Sequence, residues 1–223
     1  MPASAETGPR GIARYDALIQ AASCESPWRH DATGGRAYLP DLELLGSILT
    51  IPVSESAPTQ TGLLGKGLDA WFAHEFRRAG FDPDSVWPRA SDPRVLPADI
   101  KALLQRLPAD ARNDLAARLL KLRAVAPQDA SILGRAYTKQ VDVVISSWST
   151  GPELLLSTKS QGSSFGKNLP NRFEEAYGDA GNLRARHPLA AVGFAFALSS
   201  AIDAEPSQLE RAIDMMRKLP RPR

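Results

Sequence analysis

Apolar residues return at helical spacing between positions 63 and 79. Leu64, Leu68, Trp71, Phe72, Phe76 and Ala79 fall on one side, and Gly80 follows them. The pattern predicts a long amphipathic helix stopped by the glycine. Shorter helices are expected over 11–22, with Ile12, Tyr15, Leu18 and Ile19 on one face, and over 42–49, ended by Pro52. The stretch 24–40 reads as an irregular connection, 54–61 as a polar linker and the first ten residues as disordered. Prolines at 83, 88, 93 and 97 break the chain into a loop, and two charged amphipathic helices are expected at 97–106 and 109–124.

Beyond Gly134 the period changes from helical to alternating. The segment 140–148 is rich in Val and Ile and reads as a strand. Thr150-Gly151-Pro152 makes a turn, and 153–159 reads as a second strand close enough to pair as a hairpin. A Gly/Ser loop over 161–167 leads to a helix at 170–186, with Pro170 suited to its first turn. The apolar run 189–198 predicts a buried strand, and 206–219 a last helix carrying Leu209, Ile213, Met216 and Leu219. Together these elements predict an α/β (α+β) chain with a mixed sheet. A helical arm and linker occupy 1–60, and a core over 61–223 carries a helical insert at 83–135.

Composition narrows the function classes without choosing one. The chain has 223 residues, 43% hydrophobic and 23% charged, with a formal charge of +2. That is enough to bury a core, and it neither demands nor excludes a nucleic-acid partner. No apolar run is long enough for a membrane helix, and the first residues lack the basic flank of a secretory signal. The single cysteine, Cys24, excludes an internal disulfide and a thiolate zinc cluster, so a cytoplasmic location is expected. His30, His74 and His187 show no metal-ligand spacing. Gly65-Lys66-Gly67 is not a phosphate loop, the glycines at 162–166 lack a dinucleotide fingerprint, and no Gly-x-Ser-x-Gly occurs.

Candidate chemistry sits on the predicted hairpin. Gln140-Val141-Asp142 opens its first strand and Ser157-Thr158-Lys159 closes its second, with sixteen residues between Asp142 and Lys159. A hairpin of that length can place a carboxylate beside an ammonium. The same residue types also make ordinary surface ion pairs. In a cleft, the carboxylate can hold a hard divalent cation while the lysine orients or deprotonates water for phosphodiester hydrolysis.

On these residues the chain resembles the PD-(D/E)XK, or restriction-endonuclease-like, nucleases. Val141-Asp142 stands at the Pro-Asp position and Ser157-Thr158-Lys159 at the (D/E)XK position. Some type II restriction endonucleases also carry serine there and take the missing acid from the helix downstream. That helix here has Glu174 and Glu175, fourteen residues lying between Lys159 and Glu174.

The resemblance implies an endonuclease of a restriction or other genome-defence system, dependent on Mg²⁺ or Mn²⁺. Asp142 and Glu174 would be its metal ligands, with Glu175 as runner-up, Lys159 would activate water, and Ser157 would be a neighbour of the metal shell. Glu75 would be the supporting acid on the first core helix. It also implies double-stranded DNA as substrate, contacted by the helices before 135, the 161–168 loop including Asn168, and Asn171, Arg172, Arg184 and Arg186. A homodimer and a further strand beside 189–198 are implied as well. A helical wheel puts Phe173, Ala176, Tyr177, Ala180 and Leu183 on the buried stripe of 170–186, Glu174 at its border and Glu175 in solvent. A repair, recombination or RNA-cutting nuclease, or a DNA-binding module with a decayed site, remain as alternatives. Arg184, Arg186 and His187 can equally serve the helix dipole.

Overall fold

The alternation that marks 140–161 as strand builds the centre of the molecule. In a computed structural model, which describes residues 9–30, 32, 34–57 and 61–219, the chain is mixed α/β with several sheets. The expected disorder of 1–10 falls mostly on residues outside that range. A 3-10 turn, Gly11–Tyr15, runs into α1 (Asp16–Ala21), followed by the short hairpin β1 (Trp28–His30) and β2 (Arg36–Tyr38). Next come α2 (Leu42–Ser54), α3 (Leu63–Arg78), β3 (Val86–Trp87), α4 (Ala98–Gln105) and α5 (Ala109–Leu119). The remainder is β4 (Ala130–Leu133), β5 (Thr138–Val141), β6 (Val143–Ser147), β7 (Gly151–Gln161), α6 (Phe165–Arg184), β8 (Ala191–Leu198) and α7 (Pro206–Arg217).

The main sheet has the order β3-β6-β7-β8, antiparallel except for the parallel β7–β8 pair. Period-two alternation gives it two apolar faces. Val143, Ile145 and Leu156 pack with Ala73 of α3 on one side, whereas Val144 and Leu155 pack with Leu183 of α6 on the other. The far side of α3 is covered by Tyr15, Ile19, Leu44 and Ile48. Tyr15 is fully buried and its hydroxyl donates to Leu63 O at 2.8 Å.

Several expectations change. The connection at 24–40 contains the β1–β2 hairpin, which alternation in three-residue strands is too short to reveal. Pro52 does not end α2. It is buried in the last turns of the helix, which tolerates one lost hydrogen bond. The proline loop hides β3, paired with β6, and the helical insert ends early because 130–133 forms β4. The strand expected at 140–148 is two strands. β5 pairs with β4 in a separate sheet, β6 joins the main one, and Asp142 is the residue between them. The helix expected from Pro170 starts at Phe165, after Ser164 in a left-handed conformation at φ 55°.

The apolar run at 189–198 is an edge strand, half-buried along most of its length, and Leu189 before it is 98% exposed. Among the described residues no further strand pairs with β8, whether from 1–60 or elsewhere. Residues α4 and α5 contribute form a hairpin with no fully buried side chain.

Candidate active site

Asp142 owes its position to the split between β5 and β6. In β6–β7, Val143 lies opposite Leu156 and Val144 opposite Leu155, so the next register slot sets Asp142 opposite Ser157. The ladder stops there, and the Asp142 carboxylate takes over the free strand edge: Thr158 N–H donates to its Oδ2 at 2.8 Å. Thr158 also turns its side chain to α3, donating from Oγ1 to Asp69 Oδ1 at 2.5 Å. One threonine therefore holds two carboxylates, one from the strand junction and one from the helix.

That arrangement is electrostatically costly. Asp69 is 2% exposed. Burial first, and the charge of Asp142 second, push its pKa up to about 7 against the opposing Thr158 and Lys66 contacts. Burial also raises the pKa of Asp142, opposed by the Thr158 N–H and by Lys159, Lys66 and Lys139. Lys66 lies 3.5 Å from Asp69 and 2.8 Å from Asp129. Burial works against its charge, but the hydrogen bond to Asp129 and the charges of Asp69, Asp129 and Asp142 outweigh it and raise its pKa.

On the opposite face of β7, Lys159 projects toward α6. Its Nζ is 3.2 Å from Glu175 Oε1. Glu175 also pairs with Arg172 at 2.8 Å and Lys139 at 3.5 Å, and Lys139 reaches Asp179 at 2.5 Å. Burial disfavours the charge on Glu175, yet Lys159, Arg172 and Lys139 prevail and its pKa is lowered. Tyr137 donates to Asp179 at 2.9 Å, and the side-chain oxygen of Asn182 accepts from the backbone N–H groups of Ala136 and Tyr137. α6 is thereby fastened to the segment that precedes Asp142.

The structure redistributes the acids expected from sequence. Glu174 is exposed, whereas Glu175 faces Lys159, the reverse of the wheel placement. The wheel fails because Phe173 and Tyr177 stack on each other at 6.4 Å, with Tyr177 exposed, while Phe165, Leu169, Ala176, Asp179 and Leu183 turn inward. Glu75 is buried elsewhere on α3. It pairs with Arg78 at 2.6 Å and accepts from the Tyr38 hydroxyl at 2.7 Å and Asp41 N–H at 3.3 Å. Asp69 is the α3 acid beside Asp142. Its signal in the sequence is an acid three and seven residues before Phe72 and Phe76, hence on the apolar face.

Ser157 is buried on the α6 side of β7. Of the expected DNA contacts, Arg172 is engaged by Glu175 and Arg184 donates to Val192 O at 3.3 Å. Asn168 is half-buried, and Asn171 and Arg186 are exposed. His187 hydrogen-bonds Leu133 O at 2.9 Å.

Among the described residues no group of three or more His, Cys, Asp or Glu side chains is arranged to hold a metal ion, and no helix is long and apolar enough to cross a membrane. The donor set at Asp69 and Asp142 nevertheless fits a small hard cation. Mg²⁺ is commonly held by one or two carboxylates with water and substrate phosphate completing its shell, and a divalent charge would offset the burial and the Asp142 charge that raise the Asp69 pKa. No family model matches the sequence, and no curated protein or solved structure matches the chain at a significant level.

Proposed function

We propose that this chain is a divalent-metal-dependent endonuclease of the PD-(D/E)XK kind acting on double-stranded DNA, in a restriction or other genome-defence role, and working as a homodimer. One observation carries the reading. Asp142 falls at the end of one hairpin, in the slot opposite Ser157 and two residues from Lys159, and α3 supplies a second buried carboxylate, Asp69, that shares Thr158 with it. The resemblance expects that spatial pattern, with Asp69 in the role assigned from sequence to Glu75.

A bound Mg²⁺ or Mn²⁺ would supply charge neutralisation at the phosphate and a more acidic water. Asp142 and Asp69 would hold it. Lys159 would orient the attacking water and move its proton. Glu175 acts through Lys159 as a positioning residue, fixing the ammonium from α6. This replaces the expected migrated metal ligand at Glu174, since the Glu175 carboxylate is engaged by cations. Exposed Asn171 and Arg186 remain available to phosphates, and Arg172 and Arg184 reach DNA only by leaving their present partners.

The test is incubation of the purified chain with unmethylated phage DNA and Mg²⁺, followed by sequencing of the fragment ends. Discrete ends, abolished by chelation and by Asp142→Ala, are the expected result. Binding of duplex without cleavage would instead favour a decayed module, a reading that the complete internal pairing of Lys159 and Lys66 supports.

A further inference from the structure

A cavity of about 320 Å³ lies behind Lys159, between α6, β8 and α7. Its floor is the α6-facing surface of the sheet. In the parallel β7–β8 pair, Ser157 lies beside Phe194 and Lys159 beside Phe196, so the floor and the candidate catalytic lysine share adjacent rows. Ala176 and Ala180 leave room above the floor, and Met216 closes the far side.

Three polar groups border this cavity. Ser157 is 6% exposed and lines the cavity. Asp179, one helical turn from Glu175, is already held by Lys139 and Tyr137, and Arg184, five residues further along α6, donates to Val192 O. Phe194 and Phe196 have ring centroids 6.1 Å apart and planes 34° apart, giving two tilted aromatic surfaces. A hydroxyl that opens onto a cavity can donate to and accept from a ligand there.

We propose that this cavity binds a single unstacked nucleobase. The proposal rests on the nuclease reading for its source of bases. Aromatic rings offer a stacking surface to any base, while the Ser157 hydroxyl and the Arg184 N–H groups beyond the one given to Val192 O can meet the edge of a flipped-out base. The position fits a nucleic-acid strand crossing Lys159. Ser157 and Lys159 are two residues apart on one strand, about 6.6 Å, so a base entering here belongs to a nucleotide next to the phosphate held by Lys159.

The experiment uses the full chain without metal, titrated with the four free 2′-deoxynucleosides and followed by saturation-transfer NMR. Nucleosides carry no phosphate, so Lys159 cannot supply the affinity. At least one should bind with a dissociation constant below about 10 mM. Ala180→Leu and Ala176→Val, which fill the cavity, should weaken it at least about tenfold, and Ser157→Ala about threefold. Thermal melting identifies any variant that fails to fold, and either filled variant suffices. No binding of any nucleoside at that concentration, or undiminished binding in a folded filled variant, overturns the proposal. Magnesium-dependent cleavage on the same preparations separates the two readings. Nucleoside binding without cleavage sinks the nuclease and leaves the base site, whereas cleavage without nucleoside binding sinks the base site alone.

Discussion

The two faces of β7 carry opposite electrostatic imbalances. Toward α3, Asp69, Asp142 and Asp129 surround the single ammonium of Lys66. Toward α6, the cations Lys139, Lys159 and Arg172 pair with Glu175 and Asp179. One face lacks positive charge and the other has it in excess, with only the thickness of a strand between them. A phosphodiester with a divalent cation complements that pair of deficits. Under the proposed reading the cation would sit with the carboxylates, and the phosphate would lie where it could meet both the cation and Lys159.

The sharpest way to break this comparison is to remove its two poles. Asp142→Ala and Lys159→Ala should each lower the rate of Mg²⁺-dependent DNA cleavage by about 10²–10³-fold, with circular dichroism unchanged. A variant cutting at wild-type rate would remove that residue from the site.

The next contrast lies within α3. Asp69→Asn should abolish cleavage nearly as fully as Asp142→Ala. Glu75→Gln should keep cleavage per folded molecule but lower stability by about 1–3 kcal/mol, because it weakens a buried pair with Arg78. Melting temperatures and rates measured on both variants would reverse the assignment if Glu75→Gln proved the stable, inactive one.

Stability should also depend on pH with a defined sign. The folded-state pKa of Asp69 is raised to about 7, so the folded chain holds a proton that the unfolded chain releases near pH 4. Its contribution is complete below the unfolded value and is lost as pH rises through about 7. The metal-free protein should therefore melt lower at pH 8 than at pH 6, by about 2–4 °C for each kcal/mol lost. Asp69→Asn should flatten that difference, and Mg²⁺ should restore the melting temperature most at the higher pH.

The smallest effect separates neighbours on α6. Glu175→Gln should reduce kcat about tenfold with little change in KM, as expected for loss of a group that only positions Lys159. Glu175→Asp should recover part of it, and Glu174→Gln should change neither constant by more than about twofold. Loss of activity in Glu174→Gln alone would return the role to that residue.

How much of this was legible depends on which physical signal each residue carries. The β6–β7 hairpin and its alternation follow from a local period, because side chains on a strand have only two directions. The split at Asp142 does not, since Gln140, Val141 and Val143 alternate smoothly across it while their hydrogen-bonding partners lie in different sheets. Asp69 and Glu75 both sit on the apolar side of α3, and periodicity alone cannot rank them. Only Thr158 on one side, and Tyr38 with Arg78 on the other, tell them apart. On α6 the aromatic residues misled, since burial of Phe173 and Tyr177 is the natural expectation from hydrophobicity and they instead stack near the surface.

The α4–α5 hairpin has one more consequence. It is tied at its base by buried Leu96 and Ala126 and adds no fully buried side chain between them. Substitutions on its surface therefore cost the core little, most exposed changes altering stability by about 0.5 kcal/mol or less. Its charge and leucine pattern can drift, lengthen or be exchanged while the sheet and its carboxylates stay in place. In evolutionary terms the hairpin is an attachment that can be exchanged while the sheet behind it keeps its packing.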